Sequence, residues 1–510
     1  MTDDAFNSSL RAYKNKGFFK EIKILRGIER ESLRVDKNGK ISQKNHPENL
    51  GSPLTNKNIT TDFAEALVEL VTPTFDSPED LFNHLRLLHK FVYSEIGEEM
   101  LWNFSMPCAF RNEKEIRIAE YGNSNSGMLK HIYRKGLRLR YGSIMQCVSG
   151  IHYNFSLTKK SWEALENNLN QEYINEKYLG AIRNIKRNFW FILENFGASP
   201  IMHKSYLFDR EHALEKYNSN DLFLPYATSL RMSEVGYQST VQDSLNISYN
   251  KLDDFINALV KGIKTPVQKF ADIGMFDEAG IAQQISTGIL QIENELYDIV
   301  RPKRSGPSGS RPAKLLKNQG IEYLELRGID INPFIPEGID INKIKILDIF
   351  IIHSLVSESP YMSDAEIKEI KANQKTIVNK GRLKDVMLSK SGNLISLVEM
   401  RKIFLAELEQ IAKSLDESSG GYLDAFNEEM SKNEFPSEKI LSDMENEACE
   451  FQDYGLKQSK KIAETLESFD VNDFSTLTNS ANVSIKNLKN LQESSSMDIN
   501  KYVELYNLKI

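Results

Sequence analysis

Three observations predict an α+β fold. Short segments alternate with period two, acids or an imidazole on one side and apolar residues on the other. Longer stretches between them repeat apolar residues at three- and four-residue steps. Beyond about residue 360 the alternating segments give out and amphipathic helix takes over. Side chains alternate across a strand and recur at three to four residues along a helix, so the two periods separate the two kinds of element. Two regions follow, one over 1–360 and a helical one over 361–510 packed on it.

The elements come in this order. In RGIERESLRV, Glu29, Glu31 and Leu33 share a strand face. In AEALVELV, Glu65, Leu67, Glu69 and Val71 share one face while Ala66, Val68 and Leu70 fill the other. Asp80 to Gly97 reads as a helix ending at glycine. In SGIHYNFSL, Ile151, Tyr153 and Phe155 alternate with His152, Asn154 and Ser156. Asn168 to Gly197 is a second long helical pattern. The clearest loop is RPKRSGPSGSRP, Arg301 to Pro312, with two Gly, three Pro, three Ser and four basic residues. In IEYLELRGI, Tyr323, Glu325 and Arg327 alternate with Leu324 and Leu326. Ile344 to Val356 is the greasiest run, too short to span a bilayer and broken by Lys345, Asp348 and His353. Leu397, Met400, Phe404, Leu408, Ile411 and Leu415 form one helical stripe without chemically suggestive neighbours, a supporting layer.

Composition excludes several classes. In 510 residues, 40% are hydrophobic and 26% charged, enough to bury a large core. A formal charge of −7 without blocks of like charge argues against a dedicated nucleic-acid binder. Three cysteines, Cys108, Cys147 and Cys449, make no disulfide framework and fit a reducing cytoplasm. The N-terminal residues open acidic and carry no signal-peptide run, so a soluble cytoplasmic chain without membrane partners is expected. No Walker A, G-x-G-x-x-G, C-x-x-C or H-E-x-x-H motif and no internal repeat is present.

The chemistry lies in the acids and arginines. Glu29 and Glu31 stand i, i+2 on one strand face, with Cα atoms roughly 6.6 Å apart. Glu69, His152 and Glu325 sit on the polar faces of other strands, and Asp62 in the turn before Glu69. If those strands are neighbours, the acids repel unless cations sit among them, and hard oxygens with one histidine suit Mg²⁺ or Mn²⁺ better than zinc. The same pattern also describes a solvated, salt-bridged sheet face. Arg231 and Arg327 lie in apolar sequence, where each would hold a substrate anion or pair with a neighbouring glutamate. Lys303, Arg304 and Arg311 would close over phosphates or remain a solvated basic loop. The basic, aromatic segment His131 to Gly142 points to an anionic small molecule.

Taken together, GIERESLRV, ITTDFAEALVELVTP, SMPC, SGIHYNFSL, LPYATSLRMSEVGYQ, LQIENELY–RPKR and IEYLELRGIDINPF resemble, in order, the blocks of the bacterial glutamate–cysteine ligases of the proteobacterial type, over about residues 17 to 340. The resemblance implies a glutamine-synthetase-like fold: a curved, mostly antiparallel sheet forming a funnel, with helices outside. It implies ATP-dependent joining of the L-glutamate γ-carboxylate to the amine of L-cysteine through γ-glutamyl phosphate, the first step of glutathione synthesis. By motif, Glu29, Glu31, Asp62, Glu69, His152 and Glu325 look like a shell for two or three Mg²⁺ or Mn²⁺ ions. Arg327 looks like the phosphoryl-transfer clamp, Arg231 like a glutamate anchor, and Lys303 and Arg304 like contacts to ATP. Phe63, Tyr133, Leu137, Gln146, Tyr237 and Tyr297 look like the cysteine pocket, with Gln146 and Asn154 also near glutamate. Cys108 and Cys147 are expected to be buried and structural, and a monomer is the expected state. The competing expectations are a ligase of the same superfamily using another amine, and a non-catalytic metal- or nucleotide-binding protein.

Overall fold

One sheet organises the molecule. Strands β1 (Ile24–Val35), β2 (Ile59–Thr61), β3 (Leu67–Val71), β4 (Met100–Leu101), β5 (Ile151–Leu157), β6 (Val300–Lys303) and β7 (Tyr323–Ile329) run in the order β2-β3-β1-β5-β7-β6, with β4 paired to the end of β1. Every pairing is antiparallel. The computed structural model describes residues 2–208, 210–236, 239–307, 309–418, 420–470 and 473–510.

The registers sort the side chains. Val68, Leu70, Ile151, Tyr153, Phe155, Leu324 and Leu326 are buried on one face. There they join a single core with the helices α3 (Gln171–Phe196) and α4 (Ile341–Val356). Helix α1 (Pro78–Glu95) packs on β1 and β3, and α2 (Asn125–Tyr141) follows it in the chain. Serine, asparagine or aspartate caps start these helices: Ser77, Ser124, Asn170 and Asp340 each accept from a backbone N–H two or three residues into the helix. The greasy run of the sequence is α4, buried from Ile346 to Val356. Among the described residues no helix is long and apolar enough to cross a membrane.

The six-residue stripe is buried along α5 (Leu397–Leu415), which packs with α6 (Tyr422–Ser431) against α4. Its residues belong to the same core as α3 and α4. Two details differ from the sequence reading. The basic loop is shorter than expected: its first three residues extend β6, and Pro312 opens a helix to Gln319. Among the described residues after 360, helices predominate, with one hairpin, Met387–Lys390 with Asn393–Ser396.

Candidate active site

The opposite sheet face carries the acids. Glu31 stands directly across from Glu69, and Glu29 from His152, in the registers of β1 with β3 and β5. Glu325 stands across from Asn154 on one side and Arg301 on the other. The spacing along each strand was legible in the sequence; the pairing that gathers the acids of three strands and the histidine of a fourth into one patch is supplied by the topology.

His152 is the hinge of the patch. Its Nδ1 lies 3.1 Å from Glu29 Oε2 and its Nε2 3.8 Å from Glu31 Oε1. Two groups of potential ligands share it, Glu29–His152–Glu325 and Glu31–Glu69–His152, each with donor atoms within 4.8 Å of one another. Burial pushes Glu69 well above the ordinary carboxylate range, and the negative charges of Glu29, Asp62 and Glu31 push it further. Glu31 is also raised, by burial first. Glu29 and Glu325 go the other way. Burial is the largest influence and would raise both, but at Glu29 the hydrogen bond with His152, together with the charges of His152 and Lys303, outweighs it. At Glu325 the charges of Arg301, Lys303 and Arg327 outweigh it, holding the carboxyl well below its usual range. A set of buried and half-buried, mutually repelling carboxylates with one imidazole fits a hard divalent cation better than zinc.

Three cations surround Glu325. Arg301 Nη2 lies 2.7 Å, Arg327 Nη1 3.2 Å and Lys303 Nζ 3.3 Å from its carboxylate oxygens. The β5–β7 register slips between Leu326 and Ile329, so Arg327 and Gly328 occupy a bulge, a device that re-aims a side chain. Arg301 was missed because RPKR reads as loop; its alternation with Val300 and Pro302 was the available signal. Arg304 turns away from Glu325, donating to Gln319 O at 2.7 Å.

Arg231 lies beneath the end of β7. It is 4% exposed and donates to Arg327 O and Ile329 O at 3.1 and 3.4 Å. Its charge partner is Asp330, 3.5 Å away, rather than a glutamate. A Cβ at Gly150 would lie 2.0 Å from Arg231 Nη2, so only glycine lets the guanidinium pass. Gly150 N in turn donates to Glu31 Oε2 at 2.9 Å. Asn154 donates to Glu29 Oε1 at 2.8 Å, and its own Oδ1 is buried without a hydrogen bond from the described residues.

Helix α2 forms a neighbouring wall. Lys130, Tyr133, Arg134 and Leu137 recur at steps of three, one and three, one helical face. Arg134 Nε donates to Asp62 O, and its guanidinium lies 3.9 Å from the Asp62 carboxylate. Burial, followed by Arg134, pulls the Lys130 amine down to about 8 despite nearby Glu69 and Asp62. Sequence reasoning passed over Lys130. Phe63 and Leu137 are buried in one apolar cluster, with Tyr133 packed against it. Gln146 Nε2 donates to the Tyr297 hydroxyl at 3.1 Å. Tyr237 lies outside the described residues. Cys108 and Cys147 are buried, and burial pushes both thiols up, so neither is a ready nucleophile.

An antiparallel sheet with an acid patch on one face and guanidinium groups at its border is an arrangement that could hold cations and anionic groups side by side. Comparison with known proteins narrows the class. A family model described as glutamate-cysteine ligase matches residues 8–377. A glutamate–cysteine ligase of Pseudomonas putida is 42% identical over 454 residues, covering 86% of each chain. One of Pseudomonas fluorescens is 41% identical over 87% of this chain and 85% of its own. A crystal structure of the Francisella tularensis glutamate–cysteine ligase in complex with AMP superposes with a TM-score of 0.89 at 33% identity, covering 96% of this chain and 98% of that one. A bifunctional glutathione synthetase from Pasteurella multocida shares the fold, with a TM-score of 0.71 at 23% identity over 96% of this chain and 59% of its own. The chain belongs to the glutamate–cysteine ligase family.

Proposed function

We propose that this chain joins the γ-carboxylate of L-glutamate to the amine of L-cysteine at the expense of ATP, releasing ADP and phosphate, the first step of glutathione synthesis. Family membership supports the activity, and the AMP bound by the Francisella tularensis enzyme supports an adenine nucleotide as co-substrate. The observation that carries the reading is the acid patch of Glu29, Glu31, Glu69, His152 and Glu325 bordered by Arg301, Lys303 and Arg327.

The chemistry accounts for that arrangement. A carboxylate is a poor acyl donor, because its leaving group would be oxide or hydroxide. Moving the γ-phosphoryl of ATP onto it gives γ-glutamyl phosphate, from which the amine of cysteine displaces phosphate. Polyphosphate and carboxylate must therefore approach each other against their own repulsion, and fixed positive charge is the remedy. Glu29, Glu31, Asp62, Glu69, His152 and Glu325 would hold two or three Mg²⁺ or Mn²⁺ ions. Bound there, the ions would neutralise the phosphates. Arg327 presents a planar fork to the transferring phosphoryl group, with Arg301 beside it. Lys303, and from further out Arg304, would meet the phosphates of ATP. Arg231 offers its buried, unpartnered Nε to a glutamate carboxylate, and Asn154 and Gln146 supply polar contacts to the same substrate. Phe63, Tyr133, Leu137, Tyr237 and Tyr297 would enclose the cysteine side chain.

The test is a coupled ADP-release assay with each component omitted in turn. Release should require ATP, glutamate and a divalent cation, survive removal of zinc, and be fastest with cysteine. Glu325→Gln should abolish it with the fold retained. Equal release with an unrelated amine, or near-normal turnover of Glu325→Gln, would overturn the reading.

A further inference from the structure

Far from the acid patch in sequence, the helix α7 (Ile499–Asn507) packs on the back of α2. Val503 and Tyr506, one turn apart, form a small buried cluster with Ile132 of α2 and with Ala282 and Ile285 of the loop that leads to Tyr297. Tyr133, next to Ile132, packs against this cluster and also against the one containing Phe63 and Leu137. It therefore lies between the cluster that α7 joins and the pocket residues.

Polar contacts fix the same three pieces. Asn500 accepts from Ala282 N at 2.9 Å and donates to Gly280 O at 2.8 Å, while Asn507 donates to Ile285 O at 2.7 Å. Asn125, at the start of α2, donates to Met497 O at 3.1 Å. The loop carries the constraint onward. Gln291, fully buried, accepts from Ile285 N at 3.0 Å and donates to Tyr133 O at 3.2 Å. Gln291 N donates to Glu295, whose other carboxylate oxygen takes the Tyr141 hydroxyl at 2.8 Å. The Tyr141 ring packs edge-on against Tyr297, with centroids 6.1 Å apart. A continuous chain of contacts thus runs from α7 to Tyr133 and Tyr297, two aromatic residues of the candidate pocket.

We propose that α7 is a positioning element for the cysteine subsite: it clamps α2 to the loop 280–297 and so sets the separation of Tyr133 and Tyr297. The proposal rests on the reading of Tyr133, Leu137 and Tyr297 as that subsite. Val503, Tyr506, Asn500 and Asn507 are positioning residues, not catalytic ones, because none belongs to the acid patch or to the pocket. Loosening the clamp should blur pocket geometry while leaving the sheet and its acids alone.

The experiment is steady-state kinetics on the full chain for Val503→Ala and Asn507→Ala, with Leu137→Ala as the direct pocket variant and Tyr506→Phe as the conservative one. Hydrogen exchange of residues 125–141 and 280–297 is measured alongside. The clamp variants should raise KM for cysteine about tenfold, within the range of a single-group change in a pocket. KM for glutamate and ATP should stay within about twofold, exchange should quicken in those two segments only, and Tyr506→Phe should behave as wild type. An unchanged cysteine KM in the clamp variants, while Leu137→Ala raises it, would overturn the positioning role and spare the pocket. An unchanged cysteine KM in Leu137→Ala as well would overturn the pocket reading and the role built on it. Parallel rises for all three substrates, or faster exchange across the sheet, would show α7 to be ordinary scaffold and overturn the proposal.

Discussion

Glu325 shows how much one side chain's meaning depends on neighbours that sequence does not name. Its place on a polar strand face, two residues before Arg327, was legible from alternation alone. That Arg301 and Lys303 flank it was not, because β6 runs into what reads as a proline- and serine-rich loop. The same surroundings make Arg327 a sharp test. Lysine at 327 would keep a positive charge near Glu325 but lose the planar, two-pronged donor that phosphoryl oxygens match. Arg327→Lys should lower kcat on the order of 10²–10³-fold, the cost of removing a donor that acts in the transition state. KM for cysteine should hardly move. Steady-state kinetics separate the two effects, and a defect confined to cysteine KM would place Arg327 in the cysteine subsite instead. Asn154 and Gln146 make the complementary point: as uncharged residues they stood out only through the family resemblance, and their contacts to Glu29 and Tyr297 emerge from strand and loop pairing.

Elements hold these residues from behind. Asp348 looked like a blemish in the greasiest run of the chain, and in α4 it is fully buried. It accepts from Arg26 of β1 at 2.8 Å, from Tyr153 of β5 at 2.7 Å and from Tyr422 of α6 at 3.2 Å. The outlier was visible in the sequence; its partners, scattered over the chain, were not. Tyr153 lies between His152 and Asn154 but on the other face, so its hydroxyl ties β5 to the core without touching the acid patch. Tyr153→Phe removes one donor from a buried carboxylate. Leaving a buried acceptor short in this way costs about 1–3 kcal/mol. The urea midpoint should fall accordingly, while KM values and kcat per folded molecule stay near wild type. Loss of turnover in fully folded Tyr153→Phe would mean that the back of the sheet reaches the chemistry after all. The helical stripe of α5 was the easiest element to read, since one period and one buried face decide it; the bulge at Arg327 and Gly328 was the hardest, since no local residue pattern announces where a register slips.

At the scale of the whole molecule, acid-base stability follows from what the core buries uncharged. His89, on α1, is 1% exposed; its Nδ1 bonds to Leu85 O at 2.8 Å and its Nε2 has no partner among the described residues. Burial, aided by the charges of Arg30 and Arg86, holds its pKa well below 6.5. His46 is pushed down to about 3, by burial and then by Arg34. In the unfolded chain both rings titrate near 6.5, so below that pH the unfolded state binds protons that the folded state refuses. Stability from these groups is complete above pH 6.5 and is lost as pH falls, down to about 3 in the case of His46. For His89 the loss sets in between pH 6.5 and 5.5, a range in which most carboxylates are still ionised in both states. Urea unfolding at pH 7.5, 6.5 and 5.5 reads it directly. His89→Gln keeps a donor for Leu85 O but has nothing to protonate, so it should begin less stable at pH 7.5 and fall less steeply than wild type. Parallel declines in the two proteins would mean that His89 takes up its proton in the folded state, and that the buried imidazole does not set the acid limit of this fold.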